Sequence, residues 1–382
     1  MKALKIPFIN IRLDVINRCN IRCKMCHYSN PGMPKAPLEI FSVNDLEGFL
    51  KDIGPHVRNI YLSCGFEPLV SGDFCGIISF ISGNYPHIKI IFCTNGTLLS
   101  SEIRHAVVEK GVFRVIFSID GAVKNTFENI RKGSEYEKVF SNILELKKLK
   151  DKNNSLLPNF GFNTVLMSSN IREISSIIKI GSFVGVDFIV FRKVGSFNDE
   201  IADSDELLKY HSAKFNHYRD LAIKEAGRSG VTIRISKAFD TCEKYTSDND
   251  GEFMDDFFKV VAGKDKDRLD NKVKDKAFDV GPQGQRASVK DRGCFKNRSL
   301  KHVIEKLIDR NTFCRYPFYE IVFAYNKAIK PCPCFKEDVG LFKDSSPSGL
   351  FFGKAFRDIR FSMFKGDGHK SCENCYNKSD YN

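Results

Sequence analysis

Short apolar runs alternate with helix-period segments through the first half of the chain, and this alternation narrows the possible folds more than any other feature. The runs at 8–15, 59–63, 88–93, 113–119, 160–167 and 187–194 have the length of strands. Between them, 42–53, 74–82, 101–110, 136–149 and 171–184 repeat apolar residues at the spacing of an amphipathic helix. Strand and helix in turn imply a parallel sheet, because a parallel neighbour needs a crossover long enough to hold a helix. Right-handed crossovers curl such a sheet, so the expected fold class is α/β, a partial (β/α)6 barrel. Chemically active groups then gather at the C-terminal strand ends and in the loops that follow.

In the first strand, Ile9, Ile11, Leu13 and Val15 alternate with Asn10, Arg12 and Asp14. The polar set faces either the lumen of a barrel or the wet side of an edge strand. After the sixth strand, 205–227 reads as a long helix and 231–236 as a further strand. From Lys244 to Arg298 the chain turns polar and charged, with Gly281-Pro282-Gln283-Gly284 inside it, which suggests an irregular insertion or lid. The expected division is a barrel at 1–236, the insertion at 237–300 and a small Cys-rich C-terminal domain at 301–382.

Met1–Ile6 carries two lysines with no apolar h-region after it, and no stretch has the length of a membrane span, so a soluble, cytoplasmic protein is expected. The net charge of +12 raises the question of nucleic acid. Lysines and arginines are interleaved with acids, as in 263–276, and no recognition module accompanies them; the pattern is that of a solvated face.

Without an export signal, the 13 cysteines divide into core thiols and metal ligands rather than disulfides. Cys64, Cys75 and Cys93 stand alone in apolar surroundings, as core thiols do. Cys19/Cys23/Cys26, Cys332/Cys334 and Cys372/Cys375 are spaced like ligand sets. Three thiolates in the eight residues Cys19–Cys26, directly after the first strand, can wrap one cubane. A [4Fe–4S] cluster held by three cysteines keeps one iron open for a small molecule. Zinc sites use Cys-x2-Cys knuckles with two further ligands, and nothing nearby supplies a fourth.

Cys19-Asn20-Ile21-Arg22-Cys23-Lys24-Met25-Cys26 after a first strand resembles the signature of the radical S-adenosylmethionine (SAM) superfamily. The resemblance implies that the open iron binds SAM and that an electron from the cluster cleaves it to a 5′-deoxyadenosyl radical. Met25 and Tyr28 would lie near the adenine, or be core packing. Leu62–Leu69 looks like the family's Gly-Gly-Glu-Pro segment, with Glu67 receiving the SAM ammonium; Phe66 stands where glycine is usual, and Gly65 one place earlier. Asn95 and Ser118 are candidates for SAM ribose or carboxylate contacts, Asn95 and Asp120 being equally good turn formers. Arg131 resembles the arginine that pairs with the SAM carboxylate.

The C-terminal part resembles the SPASM/Twitch auxiliary cluster domain, in its short one-cluster form. Cys314, Cys332, Cys372 and Cys375 would ligate a second [4Fe–4S] cluster, with Cys334 the rival of Cys332 and a zinc knuckle as the alternative. The first strand starts close to Met1, which leaves no room for the peptide-recognition domain of many peptide-modifying relatives. The expected reaction is therefore oxidation or epimerisation of a small polar metabolite, sugar- or aminocyclitol-like. The alternative is a maturase that crosslinks, epimerises or oxidises a ribosomal peptide, and a reading of another class is an iron–sulfur electron carrier. A flavodoxin or ferredoxin-type donor is the expected redox partner.

Overall fold

β1 (Ile9–Leu13) shows how the alternation sets the sheet: Ile9, Ile11 and Leu13 are fully buried, while Asn10 and Arg12 remain partly exposed. The computed structural model describes residues 8–30, 36–195, 199–202, 204–241, 243, 245, 253–263, 316–323, 328–332, 335, 337–341, 346–365 and 369–372. Within them follow β2 (Arg22–Cys23), β3 (Val57–Tyr61), β4 (Lys89–Thr94), β5 (Arg114–Ser118), β6 (Arg131–Lys132) and β7 (Asn159–Leu166). β8 (Phe188–Lys193), β9 (Thr232–Ile235), β10 (Glu320–Phe323), β11 (Ala328–Lys330) and β12 (Gly340–Leu341) complete the set. Ten of these strands form one sheet in the order β12-β11-β10-β1-β3-β4-β5-β7-β8-β9, and β2 pairs separately with β6. Pairing is parallel from β10 through β9 and antiparallel only at β11 and β12.

Helices cover one face: α1 (Val43–Ile53), α2 (Phe74–Asn84), α3 (Ser101–Glu109), α4 (Lys124–Ile130), α5 (Tyr136–Lys152) and α6 (Ile174–Val184). α1 begins at a capping box, Ser42 with Asp45, and turns Leu46, Phe49, Leu50 and Ile53 inward at three-to-four spacing. Phe49 meets Phe323 of β10 with ring centroids 4.4 Å apart. Truncating such a side chain costs about 3–5 kcal/mol. α6 stops at Gly185, whose φ of +80° is the left-handed conformation glycine adopts without strain. Among the described residues, no helix is long and apolar enough to cross a membrane.

The structure settles which way β1 faces. β1 lies between β10 and β3, so it is no edge strand, and its polar side chains meet neighbours inside the curved sheet. Asn59 Nδ2 donates to Asn10 Oδ1 at 2.7 Å, and Arg12 lies against Glu320 and Tyr61.

Three expectations shift. The apolar strand near 320 enters the barrel sheet beside β1, so the C-terminal segment extends that sheet. Part of the polar 237–300 stretch is a docked helix, Asp255–Ala262. Its Phe257 is fully buried, 5.3 Å from each of Phe140 and Phe183, an apolar face that the surrounding charge conceals in the sequence. The helix expected from 205 begins at Ser212, and Glu206 instead braces the loop after β7, its carbonyl and carboxylate accepting from Ser168 N and Ser169 N.

Candidate active site

The loop leaving the C-terminal end of β1 carries Cys19, Cys23 and Cys26. Cys23 sits in β2 opposite Arg131 in β6, and Lys24 N donates to Ile130 O at 2.8 Å. Cys26 N returns to Cys23 O at 3.0 Å, closing the turn that leads into the 3-10 helix His27–Ser29. Lys24 Nζ pairs with Glu206 Oε1 at 2.6 Å, fixing the loop from the far side. All three cysteines are partly exposed.

Two of the sulfurs have donors beside them. Arg131 Nη1 lies 3.7 Å from Cys23 Sγ, and Asn95 Nδ2 lies 3.9 Å from Cys19 Sγ. Asn95 also donates to Asn20 Oδ1 at 2.9 Å and accepts from Thr97 N and Oγ1. Asn20 in turn donates to Thr97 Oγ1 at 2.8 Å. This network ties the cysteine loop to the loop after β4. Burial pushes the Cys23 thiol up to about 12, with the Arg131 charge pulling it down, and burial raises Cys19 as well. The chain alone therefore favours thiols, and a cationic iron centre is what would hold these sulfurs as thiolates.

Among the described residues, no three Cys, His, Asp or Glu converge as ligands of a single ion. Three cysteines spread over one loop, with donors aimed at sulfur, suit a polynuclear cluster better than one zinc ion. The buried Nε of Arg131, which has no hydrogen-bond partner, is a further donor at this site. The residues fit the cluster.

Asp14, last of the polar positions in the first strand, organises the second loop. Its Oδ1 accepts from Cys64 N at 2.7 Å, Gly65 N at 3.0 Å and Phe66 N at 3.3 Å. Burial raises the Asp14 pKa, and the three amides oppose the rise. Its position in the alternation was visible in the sequence; its acceptor role was not. Gly65 approaches closely, since a Cβ there would lie 3.4 Å from His27 Cε1. Phe66, which replaces the usual glycine, packs edge-on against Tyr28 at 5.1 Å, joining this loop to the cysteine loop. Tyr28 also lies under the Arg22 guanidinium, 4.4 Å from the ring centroid.

Glu67, expected to receive an ammonium, is 3% exposed and already accepts three hydrogen bonds within the protein. Thr94 Oγ1 and Asn95 N each lie 2.7 Å from one of its oxygens, and Leu69 N is 3.3 Å away. Burial pushes its pKa up to about 7 against these donors. In this arrangement the carboxylate is a brace between the loops after β3 and β4.

Arg131, expected to pair with a SAM carboxylate, has an internal partner, Asp120, at 2.8 Å. Asp120 is fully buried and also accepts from Val165 N at 2.7 Å. Ser118 Oγ lies 3.3 Å from Cys93 Sγ on the inner face of the sheet. Met25 packs against the small apolar cluster of Ile130, Met167, Val194, Ile201 and Leu207. The three cysteines assigned to the core are not buried: Cys64 is exposed, and Cys75 and Cys93 are intermediate. Cys93 alone is on a strand, β4, where its apolar neighbours point to the other face of the sheet; Cys64 lies in the loop after β3 and Cys75 in α2.

Of the C-terminal ligand candidates, Cys332 and Cys372 are described, and Cys314, Cys334 and Cys375 lie outside the described residues. Cys332 and Cys372 are 5% and 7% exposed in one nest with Phe335, Ile359 and Met363.

A mainly parallel α/β sheet with a three-cysteine loop at the end of its first strand defines a class, and comparison with known proteins agrees with it. Residues 13–178 match the Radical SAM superfamily, so the chain carries a radical SAM domain. It is 27% identical over 237 residues to the AdoMet-dependent heme synthase of Methanosarcina barkeri, covering 57% of this chain and 65% of that protein. It is 33% identical over 137 residues to the probable GTP 3′,8-cyclase of Methanothermobacter thermautotrophicus, covering 36% and 43% respectively. The chain thus spans less than two thirds of these enzymes. In fold it is similar to anSMEcpe with bound AdoMet, at a TM-score of 0.58, 17% identity, and coverage of 97% of this chain and 87% of that one.

Proposed function

We propose that this chain is a radical SAM enzyme in which Cys19, Cys23 and Cys26 hold a [4Fe–4S] cluster whose open iron takes SAM. The supporting observation is the cysteine loop itself: accessible thiols with amide and guanidinium donors at sulfur, on a radical SAM domain. When bound, the cluster and SAM supply a 5′-deoxyadenosyl radical for abstraction of an unactivated hydrogen. Arg131 and Asn95 set the charge and position of the sulfurs, and Asp14 and Glu67 hold the adjoining loops. Met25 and its apolar neighbours form a wall suited to adenine, and Ser118 offers a hydroxyl on the inner face.

The substrate class we favour is a small polar metabolite, sugar- or aminocyclitol-like, altered by oxidation or epimerisation. The inner face supports this reading with Asn10, Arg12, Asn59 and Tyr61, and the sequence relatives are named for heme synthesis and for cyclising GTP. Cys314, Cys332 or Cys334, Cys372 and Cys375 would bind an auxiliary [4Fe–4S] cluster in a C-terminal domain. A flavodoxin or ferredoxin-type protein would supply electrons, in a reducing cytoplasm.

The test is to reduce the anaerobically reconstituted protein with SAM and a pool of deuterated metabolites, anionic and neutral, and deuterated peptides. Deuterium in 5′-deoxyadenosine from a small metabolite is the expected result. Label drawn only from peptides would overturn the substrate class.

A further inference from the structure

Two arginines on the inner face, Arg12 and Arg114, take no part in the cysteine site. In the pairing register, Arg12 of β1, Tyr61 of β3, Ile91 of β4 and Arg114 of β5 are successive neighbours. They lie opposite the helix-covered side, because the residues beside them, Ile11, Ile60, Phe92 and Val115, belong to the hydrophobic core. The row forms a floor across the sheet, from Arg12 and Tyr61 near the C-terminal ends of β1 and β3 to Arg114 at the start of β5.

Arg12 is fixed on two sides. Its Nε donates to Glu320 Oε1 at 2.7 Å, and its guanidinium carbon lies 4.1 Å from the Tyr61 ring centroid. The Glu320 side chain is 2% exposed and that of Arg12 is 27% exposed. Nη1 and Nη2 of Arg12 carry no hydrogen-bond partner among the described residues. That outer edge presents parallel N–H groups of the kind that bind a carboxylate or phosphate bidentately. Arg114 lies 4.7 Å from the Phe188 ring centroid, and its buried Nε has no partner. Phe188 reaches it across Gly161, where a Cβ would fall 2.2 Å from the ring. Glu320 offsets one guanidinium of this floor, and among the described residues no carboxylate pairs with the other.

We propose that this floor is an anion-recognition subsite, with Arg12 binding a carboxylate or phosphate of the substrate through Nη1 and Nη2. The inference rests on the function proposed above and narrows its substrate to an anionic metabolite. Arg114 adds a second positive charge. Glu320, which comes from β10, is a positioning residue, so the C-terminal segment takes part in substrate recognition. The anionic end lies at the floor and the reacting carbon nearer the cysteine loop.

Calorimetric titration of the chain with inorganic pyrophosphate and with malonate, at fixed ionic strength, tests this directly and separates phosphate from carboxylate preference. Arg12→Met alone would remove the cation from the buried Glu320 carboxylate, so the Arg12→Met/Glu320→Gln variant is the cleaner probe. It should bind the preferred anion about ten- to a hundred-fold more weakly, with Arg12→Lys in between. Equal binding of both anions by wild type and double variant would overturn the subsite. In the deuterium experiment, label drawn from the neutral metabolites would overturn it while leaving the radical SAM reading intact. If the wild type made no 5′-deoxyadenosine, that reading would fall, and the titration would decide the subsite alone.

Discussion

At the barrel mouth, Cys19 and Cys23 are partly exposed with donors near their sulfurs, whereas Cys332 and Cys372 are buried among Phe335, Ile359 and Met363. Partial exposure with polar support suits a centre that exchanges a small ligand. A sealed apolar nest suits a centre that holds its ligands and keeps water out. The contrast is in keeping with the proposal that the first set serves SAM and the second an auxiliary cluster.

The largest effect expected at the mouth comes from Arg131→Met. It strands Asp120, a fully buried carboxylate, and should destabilise the protein by about 3–5 kcal/mol in denaturant unfolding. The double variant Arg131→Met/Asp120→Asn should recover much of that loss. No recovery would mean that Arg131 supports the fold through Cys23 rather than through Asp120.

Asp14→Ala removes the acceptor shared by three amides and should cost about 2–3 kcal/mol, with weaker SAM binding by equilibrium dialysis. Unchanged SAM affinity would separate the 64–66 loop from the cofactor.

Glu67 gives a pH test. A carboxyl with an ordinary pKa of 4.5 that rises to about 7 in the fold is favoured there as the protonated form. Its contribution is fullest at low pH, declines as pH rises from about 4.5 to about 7, and is level above that, a span of about 3 kcal/mol. Stability of Glu67→Gln should be flatter across that window than wild type. Parallel curves would show that the carboxylate is ionised in the fold without penalty.

The smallest effect on SAM cleavage is expected at the other set. Cys372→Ala/Cys375→Ala should still form 5′-deoxyadenosine, more slowly, yet make little product. Full product formation would leave the apolar nest without a redox role.

What the sequence revealed was local. Strand and helix periods and the contiguous Cys19–Cys26 spacing depend on neighbours in the chain, and each was legible. The polar face of β1 was legible too, but its partners were not. Asp14 meets amides fifty residues away, and Arg12 meets Glu320 across 308 positions. Those pairings depend on sheet order, which places β10 beside β1 although the two are far apart in the chain. Cys93 was misplaced because its apolar neighbours on β4 mark the opposite face, and Cys64 because it stands in the loop after β3. Arg131 was a candidate by resemblance alone, and its pairing with Asp120 is a property of the folded loops.

The central claim is that the mouth cysteines, and not the buried ones, hold the cluster that binds SAM. Electron paramagnetic resonance of the reduced, reconstituted protein tests it most directly, with and without SAM, in wild type, Cys19→Ala/Cys23→Ala/Cys26→Ala and Cys372→Ala/Cys375→Ala. A SAM-dependent change in the cluster signal should appear in wild type and in the C-terminal variant. The triple variant should keep about one cluster per chain that SAM leaves unchanged. A SAM-dependent signal surviving in the triple variant, or absent from the wild type, would contradict the account.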